Sequence, residues 1–306
     1  MKRKPILISI LILLSVVLFS LIHWDIPVQD LKVKYTNTSS KFMDIDGIQV
    51  HYRDEGKGMP LVLIHGTGAS LHTWDNWTEI LKSNHRVIRM DLPAFGLTGP
   101  HPKKNYSINS YTNFLTKFFS KLQIDSLYLA GNSLGGNIAW NYAADHQNNV
   151  KKLILIDPSG YPTGKKPSFI FRIAKTPILN SIVRYITPKS IIRKNLKQVY
   201  FDDQKVTEEL VDRYHELALR EGNRQAFIDR VKTSFKNNTK KLKTLYVETL
   251  VLWGAEDQWI PVHLGDNFVQ DIPSSNLVVV PNTGHVPMEE SPKESIKPVI
   301  DFLKKE

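Results

Sequence analysis

The 306-residue sequence contains no cysteine. Without thiols the chain can form no disulfide bond, no iron–sulfur cluster and no zinc site with cysteine ligands, and it has no cysteine nucleophile. The ten histidines include no i, i+4 pair and lie in no cluster of carboxylates along the sequence. We therefore expect no bound metal.

Acidic side chains are missing from one long segment. Between Pro158 and Phe201 there is no aspartate or glutamate, whereas nine lysines and arginines occur there. Together with Lys2, Arg3 and Lys4 they exceed the formal net charge of +10, so the rest of the chain is nearly neutral. A basic excess is typical of proteins that bind nucleic acid or anionic membranes. No nucleic-acid recognition motif is present, and the apolar residues interleaved with the basic ones favour a membrane surface.

Charge is also absent from residues 5–22, which read PILISILILLSVVLFSLI. This run is long and apolar enough to span a bilayer, and no small-residue cleavage site follows it. We predict an uncleaved signal anchor over residues 1–24, with a cleaved signal peptide as the alternative. The basic residues before the run predict a single-pass protein whose catalytic domain lies outside the cytoplasm. Residues 25–40 are polar without apolar periodicity and are predicted to be a linker.

The remaining chain alternates short apolar runs with amphipathic helical patterns. Eight runs have the length and composition of strands: 42–46, 48–54, 61–64, 86–90, 127–130, 153–156, 250–253 and 277–280. This alternation predicts a doubly wound, mostly parallel α/β sheet with an antiparallel hairpin at one edge. Residues 159–246 contain no strand pattern, so we predict a helical lid there, inserted into a core formed by residues 41–158 and 247–306.

The segment 131–136 reads Gly-Asn-Ser-Leu-Gly-Gly between a predicted strand and a predicted helix. In this context the Gly-x-Ser-x-Gly spacing is that of a nucleophile elbow, a sharp turn that projects the serine side chain. Glycine is needed on both sides of Ser133, where neighbouring backbone crowds the turn. The pattern predicts Ser133 as a nucleophile at the N-terminus of a helix.

A serine nucleophile needs a base and a third group that orients the base. His285 follows the last predicted strand, and Asp257 follows the strand before it. Both therefore lie at the carboxyl edge of the sheet with Ser133, and we predict His285 as the base and Asp257 as the orienting acid. Glu256 and Asp157 remain alternatives for the acid.

Hydrolysis of an acyl group also requires donors that bind the developing oxyanion. The N–H of Leu134, the residue after the nucleophile, is the first predicted donor. The second is the N–H of Thr67, in the glycine-bearing loop His-Gly-Thr-Gly that follows the strand 61–64. We expect His65, at the start of that loop, to brace it.

Taken together, these motifs resemble the α/β-hydrolase superfamily with a helical cap, over residues 42–303. The carrying segments are 65–68 (HGTG), 91–99 (DLPAFGLTG), 131–136 (GNSLGG), 157–160 (DPSG), 253–257 (WGAED) and 282–290 (NTGHVPMEE). The resemblance implies an α/β-hydrolase fold and the chain order nucleophile, acid, base. It includes the carboxylesterase and monoacylglycerol-lipase-like branch and the carbon–carbon bond hydrolases, which usually carry an aromatic residue where this chain has Val286.

We therefore expect a membrane-anchored serine hydrolase that cleaves carboxylic esters through an acyl-serine intermediate, without metal or organic cofactor. Its partners would be a small-molecule or lipid-derived ester, such as a monoacylglycerol, and the membrane, through the N-terminal helix and the basic lid. One alternative is a carbon–carbon bond hydrolase of the same fold. Another, from a different class, is a non-catalytic binding or receptor module.

Overall fold

The computed structural model describes residues 22–233 and 238–304. Its centre is one eight-stranded sheet. The strands are β1 (Ser40–Ile45), β2 (Ile48–Glu55), β3 (Pro60–Ile64), β4 (Arg86–Met90), β5 (Leu127–Asn132), β6 (Val150–Ile156), β7 (Glu248–Gly254) and β8 (Ser275–Val280). Their spatial order is β1-β2-β4-β3-β5-β6-β7-β8, and every pair from β4 to β8 is parallel. The predicted doubly wound, mostly parallel sheet is confirmed.

The first two strands form the predicted antiparallel hairpin at the edge of the sheet. Ile45 pairs with Ile48 across a two-residue turn, in which Asp46 has φ 53° and Gly47 has φ 81°. Positive φ at both central residues is characteristic of the type I′ turn, whose twist suits a β-hairpin. The Asp-Gly pair therefore fixes the register of this edge.

Helices cover both faces of the sheet. In chain order they are α1 (Val28–Tyr35), α2 (Asp75–Leu81), α3 (Ile108–Lys121), α4 (Leu134–Asp145), α5 (Phe169–Lys175), α6 (Leu179–Tyr185), α7 (Lys189–Val199), α8 (Glu208–Leu219), α9 (Asn223–Lys232), α10 (Leu264–Asp271), α11 (Pro287–Glu290) and α12 (Pro292–Lys304). The central strands are buried on both sides because α3, α4 and α10 pack on one face and α2 and α12 on the other. This explains why the strands read as continuous apolar runs in the sequence.

Helices α5 to α9 lie between β6 and β7, in the segment predicted to be a lid. Within this segment the described residues form no strand that joins the sheet. Ile170, Phe171 and Phe227, on α5 and α9, pack around a small apolar cluster of their own. The lid is thus held by side chains of its own helices as well as by contacts with the core.

The linker prediction for residues 25–40 is wrong. Residues 28–35 form α1, which buries Leu31 and Tyr35 against Leu97 of the core and Leu217 of the lid. The polar groups of this segment are paired as well, since the Lys34 ammonium and the Tyr35 hydroxyl bind Glu216. The sequence shows no apolar stripe here because α1 buries only two side chains, Leu31 and Tyr35, which lie one helical turn apart.

The chain before α1 is also bound to the lid. The His23 N–H donates to the Tyr185 carbonyl at 2.8 Å, and Ile26 forms a parallel bridge with Arg220. Asp25 accepts from Arg224. We call residues 22–35 the strap.

The transmembrane helix predicted over residues 1–24 lies outside the described residues, except for residues 22–24, which are not helical. None of the helices in the described parts of the chain has the length and apolar character needed to cross a membrane.

Candidate active site

Ser133 lies in a sharp turn between β5 and α4. Its backbone has φ 54° and ψ −112°, a conformation that a non-glycine residue adopts only under strain. The Ser133 N–H donates to the Ile156 carbonyl of β6, which holds the turn in place. A Cβ atom on Gly131 would lie 2.3 Å from the Gly135 carbonyl oxygen, and one on Gly135 would lie 2.2 Å from the Ile64 carbonyl oxygen. Both glycines are therefore sterically required, as the elbow pattern predicts.

His285 and Asp257 are joined by a hydrogen bond of 2.6 Å between Nδ1 and Oδ2. Both side chains are buried, at the carboxyl ends of β8 and β7. The other oxygen of Asp257 accepts from the N–H groups of Trp259 and Ile260, which fixes the carboxylate. Because Nδ1 faces Asp257, Nε2 of His285 is the atom available to a nucleophile. His285 lines the same cavity as Ser133.

The two alternative acids occupy very different positions. Glu256 is exposed at the surface, whereas Asp157 is completely buried at the end of β6. One oxygen of Asp157, one of Asp257 and one ring nitrogen of His285 all lie within 4.8 Å of one another. Among the described residues this group alone has the spacing to hold a metal ion, but a metal there would compete for the Nδ1 atom that binds Asp257.

The environment of Asp157 explains how two carboxyl groups share this position. Oδ1 of Asp157 accepts from the Gly254 N–H at 2.9 Å, and Oδ2 finds no donor in the described chain. Burial, and then the neighbouring Asp257 carboxylate, raise the pKa of Asp157 well above its usual value. This rise in pKa favours the protonated form of Asp157 beside Asp257.

The predicted oxyanion donors flank Ser133. Leu134 is the first residue of α4, where a backbone N–H has no partner within the helix. Thr67 lines the cavity in the loop after β3. His65 accepts from the Leu92 N–H at Nε2, so its Nδ1 donates to the Gly66 carbonyl at 2.7 Å. His65 thus braces the oxyanion loop, and burial lowers its pKa.

Lid and core together enclose the cavity above Ser133. Apolar side chains from both form most of its wall: Ala94, Phe95, Ile170, Phe171, Val183, Ile191, Ile192, Leu196, Val199, Leu217, Ala218, Phe227, Trp259 and Val286. Trp259 stacks on His285, with ring centroids 5.8 Å apart. The cavity therefore suits an apolar acyl group, and His285 is almost fully buried in its wall.

Sequence reasoning missed the polar residues of this wall. Asn223 and Arg224, in the first turn of α9, line the cavity and are almost fully buried. Nothing in a polar stretch of a lid helix distinguishes such residues from solvent-exposed ones. Only their position over Ser133 reveals them.

The lid is also hydrogen-bonded to the loop that carries His285. The Glu290 carboxylate accepts from the N–H groups of Phe201 and Asp202 at the end of α7, and from Gly284 beside His285. The His285 N–H donates to the Val199 carbonyl at 2.7 Å. The position of α7 and that of the loop around His285 are therefore coupled.

A mostly parallel eight-stranded sheet, a helical lid and a serine in a nucleophile elbow define a hydrolase of the α/β class. More particularly, the chain belongs to the alpha/beta hydrolase family, whose profile matches residues 61–297.

The sequence identity to individual relatives is low. The chain is 27% identical to the uncharacterized hydrolase YugF of Bacillus subtilis (strain 168), covering 85% of this chain and 96% of that protein. It is 28% identical to the 2-hydroxy-6-oxo-2,4-heptadienoate hydrolase of Pseudomonas putida, covering 84% and 93%. Among solved structures, a membrane phospholipase A described as a bacterial virulence factor matches with TM-score 0.75 and 26% identity, over 99% of this chain and 98% of that chain.

Proposed function

We propose that this protein is a serine hydrolase that cleaves carboxylic esters through an acyl-serine intermediate. The observation that carries the proposal is the hydrogen bond of 2.6 Å between His285 and Asp257, in a cavity that Ser133 also lines. A base oriented by a carboxylate beside a strained serine is the arrangement that acyl transfer requires.

In the proposed reaction His285 Nε2 removes the Ser133 proton while Oγ attacks the ester carbonyl. The N–H groups of Leu134 and Thr67 bind the oxyanion of the tetrahedral intermediate. Asp257 stabilises the imidazolium, which then protonates the leaving alcohol. Water then loses a proton to His285 and attacks the acyl carbonyl. When the second tetrahedral intermediate collapses, the bond to Ser133 Oγ breaks, His285 returns the proton to Oγ, and the carboxylic acid leaves.

The cavity favours an ester over the substrates named for several relatives. The dienoate hydrolases act, by their names, on carboxylic acids, so their substrates bring a carboxylate into the site. Among the described residues that line this cavity, Arg224 is the single lysine or arginine, and it is already paired with Asp25. An apolar wall with no free cation supports an uncharged acyl group.

The membrane is the second part of the proposal. The apolar run 5–22 would anchor the chain, and the lid would rest on the bilayer. Exposed apolar side chains occur on α5, α6 and between them: Phe169, Ile178, Leu179, Ile182 and Tyr185. They alternate with basic residues such as Arg172 and Lys175. The strap, in which the apolar run 5–22 ends, binds the lid at Tyr185. The matched membrane phospholipase A supports this arrangement, since it covers nearly the whole chain.

The serine mechanism is tested by Ser133→Ala. We expect this variant to lose hydrolysis of p-nitrophenyl butyrate by at least about 10³-fold and to lose labelling by a fluorophosphonate probe, because no nucleophile remains. Thr67→Ala is the matched control, since it removes a hydroxyl from the same cavity but keeps the backbone N–H. Labelling of the Ser133→Ala variant, or an unlabelled wild-type protein, would refute the proposal and favour a non-catalytic module.

A substrate comparison separates the two hydrolase branches. Wild-type protein is assayed on p-nitrophenyl esters and on 2-hydroxy-6-oxo-2,4-heptadienoate under the same conditions. We expect a higher kcat/KM on the esters, because the cavity offers the dienoate carboxylate no free cation. The opposite preference would assign the protein to the carbon–carbon bond hydrolases.

A further inference from the structure

Three buried polar atoms in residues that line the active-site cavity have no hydrogen-bond partner in the described chain: Asn223 Oδ1, Arg224 Nη1 and Trp259 Nε1. Leaving a buried polar group unpaired costs on the order of 1–3 kcal/mol. Such atoms are rare in native proteins, and each requires an explanation such as a partner that binds there. Two of the three belong to adjacent residues of the lid.

The orientation of the Asn223 amide is determined by its neighbours. Its Nδ2 group donates to the Gly96 carbonyl at 3.0 Å and to the Leu217 carbonyl at 2.8 Å. Exchanging the amide oxygen and nitrogen would place an oxygen against two carbonyls. Oδ1 is therefore the atom left over, and it requires a donor.

Arg224 has the complementary requirement. Nε and Nη2 donate to Asp25 Oδ1 of the strap at 3.1 and 2.6 Å, which leaves Nη1 as an unused donor. The guanidinium is only 6% exposed, and its positive charge is compensated by Asp25. A second anion would therefore gain little from Arg224 and would be repelled by the Asp25 carboxylate.

From these observations we infer that Asn223 and Arg224 form a subsite for a neutral, hydroxyl-bearing part of the ester substrate. A hydroxyl group both accepts and donates a hydrogen bond, so it meets the needs of Nη1 and Oδ1. An alkyl group would leave both atoms unpaired, and a phosphate or carboxylate offers Asn223 no donor. This inference rests on the proposed ester hydrolysis and names the class of ester.

The first experiment compares matched esters on the full-length protein. Glyceryl decanoate is compared with propyl decanoate, which lacks the two free hydroxyls of the alcohol, and ethyl 10-hydroxydecanoate with ethyl decanoate, which lacks the hydroxyl of the acyl chain. We expect kcat/KM to be about 10- to 100-fold higher for the hydroxylated member of one pair, the effect of one or two hydrogen bonds to buried partners. The pair that shows the preference identifies the side of the ester that reaches the subsite.

Variants then test whether these residues cause the preference. Arg224→Met keeps an unbranched side chain but removes Nη1, and we expect it to lower the hydroxyl preference by at least about fivefold. Asn223→Asp keeps Oδ1 but would lose a donor to Gly96 and Leu217, so Arg224→Met is the more direct test. Lys232→Met, which removes a cation from an exposed position of the same helix α9 outside the cavity, should keep the wild-type preference.

Asp25→Asn tests the electrostatic part of the inference. Asparagine retains an oxygen that accepts from Arg224, but it no longer compensates the guanidinium charge. We expect kcat/KM for 1-decanoyl-glycerol 3-phosphate, relative to glyceryl decanoate, to rise by about fivefold or more in this variant.

Three results would overturn the inference. One is a wild-type enzyme that hydrolyses all four esters with no preference for a hydroxyl. Another is a preference that Arg224→Met leaves intact. The third is a wild-type preference for the phosphorylated ester. A protein that hydrolyses none of the esters and does not react with fluorophosphonate would instead refute the proposed function.

Discussion

At the scale of single residues, the carboxyl pair next to His285 is the feature that sequence reasoning could not resolve. Asp157 and Asp257 each follow a parallel strand, and either could have oriented the base. The structure joins Asp257 to His285 by a direct hydrogen bond and buries Asp157 behind it. Burial and the neighbouring Asp257 raise the pKa of Asp157, which favours its neutral form at this position.

The raised pKa of Asp157 predicts a pH-dependent effect of Asp157→Asn on stability. Because burial raises the pKa of Asp157 in the folded state, the unfolded chain releases this proton above about pH 4 while the folded protein keeps it. The group therefore favours folding less and less as the pH rises towards its folded pKa, and asparagine has no such proton to release. We expect the free energy of unfolding of the variant, relative to wild type, to increase between pH 4.5 and 7.5 in urea titrations.

Asp266→Asn is the control for that experiment, since it removes an exposed carboxylate from α10. A difference between Asp157→Asn and wild type that does not change with pH would show that Asp157 is ionised in the folded protein.

At the scale of secondary-structure elements, one buried carboxylate connects the segment after α7 with the loop around His285. The Glu290 side chain is 4% exposed and accepts three backbone N–H groups, two from the lid side and one from Gly284. A carboxylate suits this position because it is an acceptor at both oxygens. The lid cannot shift here without disturbing the loop that holds His285.

Glu290→Gln tests this coupling. Its amide nitrogen would face at least one backbone N–H, so we expect a loss of about 1–3 kcal/mol of stability and a Tm lower by several degrees. We also expect a lower kcat on p-nitrophenyl butyrate, because the position of His285 is less well defined. Glu294→Gln, on the exposed first turn of α12, is the matched control. Unchanged Tm and kcat in Glu290→Gln would contradict a coupling of lid and base.

The strands and helices also show how much of the fold a local sequence pattern can predict. Every predicted strand is present, and its ends differ from the predicted ones by no more than three residues, as at β6 (Val150–Ile156). The patterns succeeded because parallel central strands must be apolar on both faces. The helix α1 was missed because its stability comes from contacts with Leu97, Leu217 and Glu216, all distant in sequence.

At the scale of the whole molecule, the strap brings three regions together. It packs α1 between core and lid, supplies Asp25 to Arg224 in the cavity wall, and binds Tyr185 next to the exposed apolar side chains of α6. The end of the apolar run 5–22 and the basic lid therefore lie on the same side of the protein. This arrangement would let one membrane surface contact both.

Vesicle binding tests that arrangement with a chain shortened to residues 22–306, which keeps the whole strap. We expect it to sediment with vesicles that contain 30% anionic lipid more than with zwitterionic vesicles, and less at high salt. The double variant Arg172→Glu, Lys175→Glu should weaken binding at least about tenfold, since each basic residue contributes about 1 kcal/mol.

The control, Lys293→Glu with Lys297→Glu, makes the same change in charge on α12, away from the lid. Binding that ignores anionic lipid, or that falls equally in both double variants, would rule out a membrane-facing lid.

Local sequence patterns are sufficient to predict the sheet, the elbow at Ser133 and the sheet edge that carries Asp257 and His285. These features depend on local periodicity, on glycine at sterically crowded positions and on the rule that parallel strands end at one edge. Tertiary contacts bring Asp157 next to Asp257, dock the strap and place Asn223 and Arg224 in the cavity wall. Each of these depends on the burial of a polar group beside a residue far away in the chain, which leaves no periodic pattern in the sequence.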